Sequence, residues 1–152
     1  MSALARYFNA QGKRVLGYDR VISPLCKELQ SEGIEIHGED LGRDVESLGV
    51  SADDTLVIVT PAVPQSHAEK THFQEAGYVM LKRAELLGVL TSKMKGLTVA
   101  GTHGKTTTSS LLAHVLKGTT EKVSAFLGGI SSNYNTNVLL EEKSDWVVIE
   151  AD

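Results

Sequence analysis

The 152-residue chain has a single cysteine, Cys26. That excludes an internal disulfide and fits a reducing compartment. Standing alone, Cys26 reads as a small buried apolar side chain rather than a reactive thiol. No apolar run approaches the roughly 20 residues of a membrane span, so no membrane partner is expected. The opening stretch MSALARYFNAQGKR has no basic region, apolar stretch and small-residue cleavage site in succession. It does not read as a secretory signal, and the protein is expected in the cytoplasm. There is no Lys/Arg stripe, and the net charge is -4. Nucleic acid is therefore not an expected partner. Repeats and low-complexity segments are lacking too. His37, His67, His72 and His114 show no metal-ligand spacing. His67 and His72 lie five apart, a poor match to one helical face, so all four read as core or surface residues.

What is present is a globular composition, 41% apolar and 22% charged, enough for one domain or one and a fraction. MSALARYFNAQG carries Leu4, Tyr7 and Phe8 at helical spacing before Gly12. RVLGYD (14–19) reads as a strand ending in Asp19. Ser23 and Pro24 read as an N-cap and first-turn proline, opening a helix to about Glu32. Further strands are expected at 34–38, in the β-branched run TLVIVT that Pro61 ends, at 97–101, in VSAFLGG and in DWVVIEAD. YVML is a possible strand. Helices are expected over 66–77, 82–96 and 105–118, with the TSSLLAHVL stripe as the core face of the last. Alternating strands and helices predict an α/β fold, with right-handed crossovers, a parallel sheet and helices on both faces. A hinge is placed at 90–96.

Two edges look incomplete. The chain opens on a helix, without the strand and glycine-rich turn that precede it in a nucleotide-binding βαβ unit. A buried-looking strand ends in Glu150 and Asp152 with nothing after it. The sequence reads as a piece of a longer protein.

The stretch VAGTHGKTTTSS (99–110) carries the chemistry. A strand, a tight glycine turn and a helix starting near Lys105 make an anion site, because the first N–H groups of a helix lack partners and its dipole is positive there. Glycines let the backbone approach phosphate oxygens, and Lys105 adds a charge. Thr106 offers a hydroxyl to a phosphate-bound Mg2+. The loop departs from the common G-x-x-x-x-G-K-[ST] pattern, since Val99 stands where the first glycine is expected. WVVIEAD (146–152) would place Glu150 and Asp152 on one face of a strand end beside this loop, where a carboxylate can hold the metal. Glu150 is the stronger candidate.

GTHGKTTT, then LGGISSNYNTN (127–137), then EAD together resemble the Mur ligases of peptidoglycan synthesis. MSALARYFNAQGKRVLGYD and KRAELLGVL sharpen the resemblance toward the member that joins L-alanine to UDP-N-acetylmuramate. The resemblance implies a Rossmann-like UDP-sugar-binding domain over 1–93, missing its first strand and glycine-rich turn. It implies that 94–152 opens a P-loop ATP-binding α/β domain. The implied reaction is ATP-dependent amide formation through an acyl phosphate, with ATP and Mg2+ as cofactors. By the same resemblance Gly101, Thr102, His103, Gly104, Lys105, Thr106 and Thr107 would hold ATP, with Lys105 as the catalytic charge. Thr106 and Glu150 would hold the metal. Asp19, Thr60, Pro61, Asn135 and Asn137 would meet the UDP-sugar. The piece alone is expected to be inactive. Two alternatives stand beside this: a ligase that recycles a tripeptide onto the same UDP-sugar, and a non-catalytic nucleotide-binding module. A generic kinase or GTPase fits less well, given the compact loop and the absence of an N-K-x-D element.

Overall fold

The computed structural model describes residues 1–92, 94–141 and 144–151. In chain order the elements are α1 (Ser2–Ala10), β1 (Leu16–Tyr18), α2 (Pro24–Ser31), β2 (Glu35–His37), a 3-10 helix (Gly42–Leu48), β3 (Leu56–Val59), α3 (Ala68–Glu75), β4 (Val79–Lys82), α4 (Arg83–Thr91), β5 (Lys95–Val99), α5 (Lys105–Lys117), β6 (Val123–Ser131), β7 (Thr136–Leu139) and β8 (Trp146–Glu150). They form two compact units, Leu16–Leu87 and Met1–Val15 with Gly88–Asp152. The division falls inside α4 rather than at the hinge expected over 90–96. The sequence reading put α1 in the first domain, whereas α1 groups with the second unit.

In the Leu16–Leu87 unit, β1 pairs with β2 and β3 with β4, both in parallel, as two separate ladders. The helix starts follow from local chemistry. Ser23 accepts a hydrogen bond from the Cys26 backbone N–H at 3.3 Å, and Pro24 sits in the first turn, where no N–H is needed. The head of α3 is capped from a distance. The Asp40 carboxylate accepts from the backbone N–H of Ala68 at 2.7 Å and of Glu69 at 2.9 Å. Cys26 is buried and unpaired, as its solitude suggested.

In the other unit the sheet order is β5-β8-β6-β7. β8 lies between two parallel neighbours, and Val147 and Val148 are fully buried. The core joins Ala113 of α5 to Val123, Ala125, Leu127, Leu139 and Val148. Only part of the TSSLLAHVL stripe faces it. Ser109 and Ala113 are buried with Leu112 and Leu116 against the core, while Leu111 and Val115 are 57% and 63% exposed. α1 buries Ala3, Leu4 and Arg6 and sets the Tyr7 ring 5.5 Å from that of Phe126.

The expected parallel pairing is present in four ladders among the described residues, and one antiparallel pair is added to it. β7 runs antiparallel to β6 as a hairpin that the sequence reading did not mark. Asn135 takes a left-handed conformation in its turn, at φ 51°. Asparagine tolerates this better than most residues, because its short side chain bonds locally. β5 begins and ends two residues earlier than expected, and α4 stops at Thr91. The 3-10 helix is a further addition. Among the described residues, no helix is long and apolar enough to cross a membrane.

Candidate functional site

β5 runs into the loop 100–104, and α5 starts at Lys105. Gly104 takes φ 77° and Gly101 φ 155°, backbone that side-chain-bearing residues rarely adopt. The turn therefore needs glycine at both ends of the G-T-H-G run. Among the described residues no side chain caps α5, whereas Ser23 caps α2 and Asp40 caps α3. Its first N–H groups thus keep their capacity for an external anion. Lys105 folds back so that Nζ donates to the Gly101 carbonyl at 2.8 Å. Thr102, His103, Thr106 and Thr107 are exposed along the same turn.

Glu150 ends β8, in register with Val99 at the end of β5. The strand that feeds the loop and the strand that carries the acid are therefore neighbours. The Glu150 carboxylate is 9% exposed and held by three donors. Oε1 accepts from the Ser109 hydroxyl at 2.8 Å and the Gly128 backbone N–H at 2.8 Å, and Oε2 accepts from the Thr106 hydroxyl at 3.2 Å. A Cβ at Gly128 would collide with this carboxylate. Thr106 spends its proton on Glu150 and keeps its oxygen lone pairs, so the pair offers a carboxylate and a hydroxyl oxygen to one hard cation. The expectation that Thr106 and Glu150 lie together matches their contact, and the sequence did not mark Ser109 or Gly128 beside them. Asp152, the second acid it considered, lies outside the described residues. Among those residues, no three His, Cys, Asp or Glu side chains converge as a metal site.

The residues expected to meet a UDP-sugar fall on both units. Asp19, Thr60 and Pro61 follow the C-terminal ends of β1 and β3, the edge of a parallel sheet where ligands bind. Asp19 Oδ1 accepts from the Val21 N–H at 3.1 Å, and its Oδ2 lies 3.8 Å from the Cys26 thiol. Asn135 and Asn137 belong to the hairpin of the other unit. Asn135 is exposed in the turn. Asn137 is buried, and both ends of its amide are occupied: Oδ1 accepts from Arg6 at 3.2 Å and Nδ2 donates to Ser2 at 2.8 Å.

The histidines resolve individually. His72 is buried against Glu46 at 2.9 Å, and His114 meets the Tyr134 hydroxyl at 2.8 Å. His67 is buried edge-on to Tyr18, with neither ring nitrogen hydrogen-bonded. Burial pushes the neighbouring Asp40 carboxyl up. The backbone N–H groups of Ala68, Glu69 and Gly42, together with His67, outweigh that and leave it below the ordinary carboxylate value.

A family model described as "Mur ligase family, catalytic domain" matches residues 1–105. The UDP-N-acetylmuramate–L-alanine ligase of Parabacteroides distasonis is 55% identical over 152 residues, covering 100% of this chain and 33% of that protein. The enzyme of the same name from Porphyromonas gingivalis is 53% identical with the same coverage. The chain thus spans about a third of the length of the curated relatives it matches. Among solved structures, the UDP-N-acetylmuramate-alanine ligase of Thermotoga maritima matches with a TM-score of 0.80 at 29% identity, covering 99% of this chain and 34% of that one. The UDP-N-acetylmuramate:L-alanyl-gamma-D-glutamyl-meso-diaminopimelate ligase of Neisseria meningitides shares the fold with a TM-score of 0.87 at 23% identity, covering 100% of this chain and 49% of that one.

Proposed function

The chain belongs to the Mur ligase family, and from that premise we propose that it is the N-terminal part of an ATP-dependent ligase joining L-alanine to UDP-N-acetylmuramate through an acyl phosphate. The acceptor assignment draws on the relatives, which share half of all residues with this chain along its whole length. The chemistry draws on one observation, the Thr106–Glu150 contact directly behind Lys105.

In this reading the 101–107 turn and the open N-terminus of α5 cradle the ATP phosphates. Lys105 exchanges its bond to the Gly101 carbonyl for phosphate oxygens and neutralises their charge. Thr106 and Glu150 fit Mg2+, because both donors are hard oxygens and this ion takes few protein ligands when phosphate is present. When bound, the ion supplies charge neutralisation for the phosphoryl group. Asp19, Thr60 and Pro61 take the UDP-sugar at the strand ends, with Asn135 toward the sugar, whereas Asn137, expected there too, is buried with its amide committed to Arg6 and Ser2. We assign UDP-sugar binding to the residues up to about 93 and ATP binding to those after it, with α1 packed in the later unit. We place the complete protein in the cytoplasm, without nucleic-acid or membrane partners.

The test is ADP release from ATP·Mg2+ and UDP-N-acetylmuramate, with L-alanine, glycine or a tripeptide as acceptor. It compares the complete protein with residues 1–152. Release that depends on alanine in the complete protein alone is the expected result. Release with the tripeptide only would reassign the chain to peptide recycling, and no release with any acceptor would leave a nucleotide-binding module. In the complete protein, Lys105→Ala should lower turnover by roughly 10² or more while leaving the fold intact.

A further inference from the structure

Ser109 lies one turn into α5 with no solvent exposure. Its hydroxyl has three acceptors in reach: the Lys105 carbonyl at 2.9 Å, the Thr106 carbonyl at 3.1 Å and Glu150 Oε1 at 2.8 Å. It has one proton to give. The Lys105 carbonyl already belongs to the helix ladder, and back-bonding to it gains a helix little. The carboxylate is charged, buried and nearest, so it is the stronger acceptor.

We propose that Ser109 is a positioning residue for the metal site. It fixes Glu150 Oε1 against the Gly128 N–H, so that Oε2 stays turned toward Thr106. The division between the two oxygens supports this. Among the described residues, Oε1 takes two short bonds from the body of the unit, and Oε2 takes only the longer one from Thr106. The carboxylate is anchored by one oxygen and presented by the other. Without Ser109, the Gly128 N–H alone would hold Oε1, and the carboxylate could turn about that bond. This inference rests on the proposed role of Glu150 as metal holder.

The test uses the complete protein, with Ser109→Ala and Glu150→Gln measured against the parent. Alanine is the best helix former and removes one oxygen, so the fold should survive, as a thermal melt would verify. The first readout is Mn2+ affinity in the presence of ADP, followed by the EPR signal of free Mn2+. The second is the Mg2+ concentration giving half-maximal turnover, separated from turnover at saturating Mg2+. Loss of a group that orients a metal ligand typically weakens binding about 10- to 100-fold. Ser109→Ala should weaken Mn2+ and raise the Mg2+ requirement within that range, with most turnover recovered at saturating Mg2+. Glu150→Gln should weaken Mn2+ at least as much. If Glu150→Gln weakens Mn2+ and Ser109→Ala does not, the metal reading stands and the inference about Ser109 is overturned. Lower turnover in Ser109→Ala with unchanged Mn2+ affinity overturns it as well. No effect of either substitution overturns the metal reading, and the Ser109 inference with it.

Discussion

Glycine at position 128 answers to volume, since it is not among the glycines at positive φ. The space its side chain would fill is taken by the Glu150 carboxylate. Gly128→Ala should therefore displace Glu150 from both the 128 N–H and Ser109, leaving a buried carboxylate oxygen short of donors. A stability loss of about 1–3 kcal/mol is expected, together with weakened Mn2+ binding. Urea unfolding and the EPR titration would measure the two effects separately. Sequence reading had no purchase on this position, because a double glycine in a strand says only that backbone or ligand comes close. Ser109 was more legible. Positions 109, 112, 113 and 116 make one helical stripe, and a hydroxyl among core positions asks for a buried acceptor. The placement of Lys105 and Thr106 at the head of a helix was legible because a glycine turn, a strand before it and a helix after it constrain one another.

Among the elements, α3 depends on a capping group 28 residues away, since Asp40 serves the N–H groups of Ala68 and Glu69. Its carboxyl is held below the ordinary value. A depressed folded value means that its contribution is fully present above the unfolded value, near pH 4, and is lost as pH falls through the folded one. Asp40→Ala should cost about 1 kcal/mol at neutral pH, and the gap to the parent should narrow in acid. Urea unfolding at pH 7 and at pH 3 checks both. Helices and parallel strands were readable because local capping and β-branched runs declare them, as Ser23-Pro24 and LVIV do. The β6–β7 hairpin was not, because its turn is a polar S-S-N-Y-N stretch without the short Asn-Gly signal. The distant cap of α3 leaves no mark in the local sequence at all.

On the scale of the whole molecule, α1 has joined the unit built from the end of the chain. Its anchor is polar, with Arg6 and Ser2 on the amide of Asn137. Asn137→Ala removes one acceptor of a buried charged donor, together with the Ser2 bond, and should destabilise that unit by about 1.5–3 kcal/mol. Faster proteolysis within residues 1–15 would report the detachment of α1, and an unchanged cleavage rate would exclude it. No domain boundary drawn from sequence could anticipate this pairing, because nothing in MSALARYFNA names its partner.

The same anchor sets an order of events during synthesis. Arg6 and Asn137 are 131 residues apart. At about 5–20 residues per second, the ribosome needs on the order of 7–26 s to deliver the second after the first. Throughout that interval the apolar face of α1, with Leu4, Tyr7 and Phe8, has no β6–β7 surface to dock on. This apolar helix therefore stays uncovered until β6 and β7 have been made, so its docking is a late step that must wait for contacts far along the chain.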